Sequence, residues 1–165
     1  MKVLAAKCSK TTTIKKYDQL VVAQHQLKGA IANLFLGNWP SAITLAGAAE
    51  EVLPEHAIFK DLMSIAKDDV AKQHGTTSKE ISDIMNKKRN WLKHDKSNDP
   101  NSEKTVDFSQ EDAVIMIIRA LTKVMAHHAP FAKNEVLSEH ILVFSDWCKR
   151  NYPEFSLQPY SGAQA

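Results

Sequence analysis

Two cysteines in 165 residues, Cys8 and Cys148, are too few and too far apart for a disulfide framework, and no thiolate zinc spacing surrounds them. Such cysteine usage fits a reducing compartment. Long apolar runs are also lacking. The longest, Ala113 to Ile118, falls far short of the roughly 20 residues that cross a bilayer, and Met1-Lys2-Val3-Leu4-Ala5-Ala6-Lys7 has no signal-peptide core. A cytoplasmic protein with no membrane role is expected. Nor does one sign of charge dominate: 21 Lys and Arg against 19 acids leave a net charge of +2, so any attraction to nucleic acid must be local. Alternating strand segments, internal repeats, a phosphate-cradling glycine loop and a Gly-x-Ser-x-Gly elbow are all missing, which removes the commonest nucleotide-binding and hydrolase architectures.

What the chain does have is helical periodicity and, at 44% hydrophobic content, enough apolar residues for one packed domain. Ile14, Tyr17, Leu20, Val21, Leu27, Ala30, Ile31, Leu34 and Phe35 recur at helical spacing behind a Thr11-Thr12-Thr13 cap, and Gly37 stops them. After a short turn Pro40 opens a second helix through Ile43, Ala46, Ala49, Val52 and Leu53, an antiparallel partner for the first. Ala42, Ala46, Gly47, Ala48 and Ala49 keep that helix slim enough for another to approach closely. Glu50 and Glu51, at its end, read as an ordinary solvated face. A third helix from Glu55 to His74 closes at Gly75, with Asp68 and Asp69 facing solvent rather than holding a metal. Thr77-Ser78-Lys79-Glu80 is a capping box for a fourth, and Asp95 to Lys104 follows as a polar loop, a candidate lid. Ser109-Gln110-Glu111-Asp112 begins a fifth helix that is apolar nearly all round and so belongs at the centre of a bundle or in a dimer interface. His127 and His128 read as capping its end. A last helix runs from about Asn134 through Trp147. The expected fold is all-α, an up-and-down bundle of about six helices in a single domain over residues 1–165, its core about 13–150, with residues 1–12 and 155–165 flexible.

One stretch looks like chemistry: Lys87-Lys88-Arg89-Asn90-Trp91-Leu92-Lys93-His94-Asp95. A histidine exchanges protons near neutrality and a guanidinium offers a planar fork to a phosphate, a pairing suited to phosphodiester cleavage. On an ideal helix Asn90 and His94 share a face, whereas Arg89 and His94 diverge by roughly 140°, so a bend or a second copy across a two-fold axis is needed for convergence. With three arginines, seven histidines and eight asparagines, Arg-x4-His alone arises by chance in roughly one such sequence in eight, and Arg-Asn-x3-His in fewer than about one in a hundred. Lys87, Lys88, Lys93 and Lys96 add local attraction for phosphate.

An all-helical chain carrying Arg89-Asn90-x-x-x-His94 late in a middle helix resembles the HEPN superfamily, small helical bundles marked by an arginine, a polar residue and a histidine at this spacing. Ala32 to Leu36 and Leu45 to Leu53, taken with the motif, look more narrowly like a group of bacterial HEPN-like proteins of unassigned function. The resemblance implies a metal-independent endoribonuclease acting as a homodimer with two motifs in one cleft, in a toxin–antitoxin or antiviral setting with an antitoxin or inhibitor protein as partner. Some members are instead inactive modules that bind a nucleotide or a protein. Carried over, Arg89 stabilises the phosphorane, Asn90 orients its neighbours and His94 serves as general base or acid on the 2′-hydroxyl. In one toxin branch a tyrosine stands two residues after the histidine; here that position is Lys96. No cofactor and no metal are expected, because no histidine, cysteine or acid cluster has ligand spacing.

Overall fold

The computed structural model describes residues 16–93, 104–128 and 135–153. The threonine cap, most of the polar loop and the tail after 155 lie outside the described residues. Those described form six helices and no strand: α1 Gln19–Phe35, α2 Trp39–Val52, α3 Ala57–His74, α4 Ser78–Lys93, α5 Gln110–His128 and α6 Glu135–Asn151. Helix takes up 83% of them, which leaves connections of only a few residues between α1 and α2, α2 and α3, and α3 and α4. Helix α1 folds back on α2 and α3 on α4, whereas α2 and α3 do not pack on each other.

Local signals set most of the boundaries. Thr77 and Glu80 form the reciprocal box, with Thr77 N–H donating to Glu80 Oε2 at 2.9 Å and Glu80 N–H to Thr77 Oγ1 at 3.2 Å. Ser109 and Asp112 repeat the device before α5, at 2.7 and 3.3 Å. Gly75 closes α3 at φ 63°, a left-handed cap that an L side chain strains to adopt, and Pro40 sits in the first turn of α2. The start of α1 differs from expectation. Asp18, in extended conformation, accepts the Val21 N–H at 2.8 Å, so the helix begins at Gln19 and Tyr17 stands outside it, half exposed. A cap prevailed over continued periodicity.

The core lies where α1, α2 and α5 meet. Ala23, Leu27, Ala30 and Ile31 of α1, Ile43, Ala46 and Ala49 of α2, and Val114, Ile117, Ala120 and Val124 of α5 are essentially sealed from solvent. The alanines of α2 bring its backbone close to both neighbours, as their small volume allows. The apolar fifth helix thus belongs at the centre, contacting α1, α2, α3 and α4. Phe144 and Cys148 of α6 close the cluster, and burial pushes the Cys148 thiol up to about 11, which leaves it without nucleophilic character at neutrality.

The α3–α4 hairpin is bound differently. Phe59, Ala71 and Ile81 are the only buried apolar side chains described in it. Ile58, Leu62 and Ile65, spaced four and three apart on one stripe of α3, are about half exposed.

Candidate functional site

Helix α4 carries the motif as far as Lys93, and its capping box sets where the helix begins. Ser82, Asn86, Arg89 and Lys93 recur at intervals of four, three and four, so they line one stripe, while Asn90 lies roughly 100° round from Arg89. That stripe meets the end of α2, where Gly47, Glu50 and Glu51 share a face. A Cβ on Gly47 would stand 3.0 Å from Arg89 Cδ and 3.3 Å from its Nε. The aliphatic stem of Arg89 crosses α2 at the one position with no side chain.

Beyond Gly47 the guanidinium of Arg89 meets both acids. Its Nη2 donates a short hydrogen bond to Glu51 Oε1, and its Nη1 lies 3.7 Å from Glu50 Oε2. Lys93 Nζ donates to both oxygens of Glu51, at 2.5 and 2.6 Å. From α5, Arg119 Nη2 donates to Glu50 Oε1 at 2.8 Å and its Nη1 to Asn86 Oδ1 at 2.9 Å. Three cations thus share two carboxylates across three helices. The Arg89 side chain is only 14% exposed, against 40% for Glu51 and 39% for Lys93. Partial burial works to raise the Glu51 pKa, but the hydrogen bond from Lys93 and the charge of Arg89 outweigh it, and the carboxyl is held below its ordinary value.

This overturns the expectation for the two acids. Glu50 is 8% exposed and sits between two guanidiniums, and Glu51 is the common acceptor of Arg89 and Lys93, so neither is an ordinary solvated face. The reason is tertiary. Continuing α2 past its alanine stripe carries both acids under α4 and α5, where a buried carboxylate persists only when paired.

The remaining candidates are distributed around the helix. Lys88 leaves the Arg89 stripe and donates to Asp112 Oδ2 at 2.5 Å, joining α4 to the cap of α5; burial opposes but this bond and those from Ser109 lower the Asp112 pKa. Asn90 and Lys87 are exposed. His94 and Lys96 lie outside the described residues, so the convergence of Arg89 and His94 rests on the sequence alone. His127 is not simply a cap for its own helix: its Nε2 is 3.1 Å from the Pro54 carbonyl, and its ring stands edge-on to His56 with centroids 4.9 Å apart, tying α5 to the α2–α3 connection. The side chain of His128 is outside the described residues. Among the described residues no three His, Cys, Asp or Glu come together as a metal would need.

Arg119 was missed by sequence reasoning. A signal existed: it is the lone cation between Ala113 and Leu121 of an otherwise apolar stretch, as Glu50 is the first charge after the alanines of α2, and an isolated charge in an apolar run needs a partner elsewhere. The chain matches no protein-family model, no curated protein and no solved structure.

Proposed function

We propose that the chain is a HEPN-like helical module that binds nucleotide phosphate without cleaving a phosphodiester. The observation that carries this reading is the engagement of Arg89. Its guanidinium is mostly buried, hydrogen-bonded to Glu51 and in ionic contact with Glu50, and its stem lies over Gly47. A fork already answered by carboxylates of its own chain gives little to a phosphorane, and its role is to hold α4 against α2. The motif then marks a structural crossing.

A second reading has its own support. Glu51 and Lys93 are each about two-fifths exposed, so an incoming phosphate can displace the Glu51 carboxylate and meet Arg89 and Lys93 already side by side, one residue before His94. On that reading the chain is a metal-independent endoribonuclease with Arg89, Asn90 and His94 at a homodimer cleft, in a toxin–antitoxin or antiviral setting with an inhibitor protein. Mixed RNA incubated with purified protein and a chelator separates the two. No cleavage is the expected result. Cleavage that His94→Ala lowers by roughly 10²–10⁴-fold establishes the second reading instead.

Homodimerisation is proposed on altered grounds. Much of the apolar surface of α5 packs against α1 to α4, although Met125 is half exposed, and an exposed apolar stripe is formed by Ile58, Leu62 and Ile65 of α3. Light scattering at micromolar concentration is expected to report a dimer, and Leu62→Glu a monomer; a monomeric parent protein refutes the proposal.

A further inference from the structure

Cations other than Arg89 gather beside the N-terminal half of α4, where Ser82 and Met85 face a cavity. A cavity of about 170 Å³ opens between α3, α4 and α5, lined by Phe59, Met63 and Met85 as apolar wall and by Lys60, Lys67 and Arg119 as cations. Lys60, Met63 and Lys67 are three and four apart on α3, so both lysines flank the methionine on one face. Glu55 and Ser82 complete the lining, and Glu55 is its single acid. Arg119 reaches this cavity from α5, and one turn further along that helix stands Lys123.

Lys123 is the least expected residue of the fold. It is 5% exposed, and its ammonium lies 5.5 Å from the centroid of the Phe59 ring, the same ring that walls the cavity. Among the described residues it makes no hydrogen bond and no ion pair. A ring face offsets only part of the desolvation of an ammonium. Arg119 is compensated in part, since Glu50 is shared with Arg89 and the Arg119 Nε, also buried, has no hydrogen-bond partner. Three cations thus line one small cavity, with Glu55 and a shared Glu50 against them, and Lys123 stands over the ring of its Phe59 wall. The surplus is positive and sits in a partly enclosed, half-apolar space, where an anion is attracted far more strongly than at a solvated surface.

We propose that this cavity binds a small phosphate monoester, its phosphate set among Lys60, Lys67 and Arg119 and its sugar or base against Phe59, Met63 and Met85. The volume is that of roughly five or six waters, and it suits a phosphorylated sugar or one end of a mononucleotide better than a drug-sized ligand. The inference deepens the binding reading above and rests on it. The two fail separately, because RNA cleavage sinks that reading without touching the titration described next.

The test titrates AMP, ribose 5-phosphate and adenosine into the full chain by calorimetry, with thermal unfolding read alongside. AMP and ribose 5-phosphate are expected to bind and raise the melting temperature, with affinity falling as salt rises, while adenosine does neither. Lys60→Glu with Lys67→Glu, both at the cavity edge, is expected to weaken AMP by about tenfold or more. Binding of neither phosphate ester at low-millimolar concentration overturns the proposal. So does adenosine binding as tightly as AMP, or undiminished AMP binding by Lys60→Glu with Lys67→Glu.

Discussion

The α1–α2–α5 core and the α3–α4 hairpin are stabilised by opposite kinds of interaction. In the first, Leu27, Ile31, Ile43, Ile117 and Val124 interdigitate with almost no exposure, and their contribution is non-directional and scales with area removed from water. In the second, three apolar side chains are buried and the docking falls to Glu50, Glu51, Arg89, Lys93 and Arg119, together with the Lys88–Asp112 pair. Charged contacts supply direction and register. They also make one half of the molecule sensitive to pH and to single substitutions in a way that the other is not. A hairpin held in this manner is the part of the fold free to open locally.

The sharpest way to break the comparison is to remove its shared acid. Glu50→Ala leaves Arg119 and Arg89 short of a counter-charge in a mostly buried setting, and a cost of about 3–5 kcal/mol is expected, measured by urea unfolding. A smaller effect is expected from trimming the core: Ile43→Val or Ile117→Val should each cost about 0.5–1.5 kcal/mol and lower the stability of the whole domain. Acid provides a graded version. Glu51 and Asp112 both have pKa values lowered in the fold, so their stabilisation is present above the ordinary values of 4.5 and 3.8 and is lost as pH falls through the lowered ones. Below about pH 4.5 the hairpin is expected to loosen before the core, with α4 amides exchanging first. Smallest of all is Gly47→Ala. The added methyl meets the stem of Arg89 at 3.0 Å, which sets a clash against a helix-propensity gain of up to about 1 kcal/mol. A net change below about 1 kcal/mol is expected. A gain of the full propensity difference shows that Arg89 yields freely and that the crossing is looser than described.

The sequence made the core half legible and the docking of the hairpin opaque. Caps such as Thr77–Glu80 and stops such as Gly75 act within a few residues, so their chemistry is complete in a short window. The alanines of α2 announced close packing for the same reason. The charge network is not local: Glu50 and Arg119 are 69 residues apart, and Glu51 and Arg89 are 38 apart. Periodicity assigned the acids to a solvated face because it measures apolar faces and says nothing of which charges a bundle encloses. The tertiary contact of His127 was equally hidden, since its partner is the Pro54 carbonyl across the fold. Arg89 was singled out for its spacing from His94, and that spacing carries no information about Glu51.

Hydrogen exchange of the parent protein beside Arg89→Ala tests most directly whether Arg89 serves the fold as an interhelical tie. Exchange is expected to accelerate across α3 and α4 while Leu27, Ile31, Ile43 and Ile117 keep their protection. Unchanged exchange in the hairpin, or an equal loss of protection in every helix, contradicts the account.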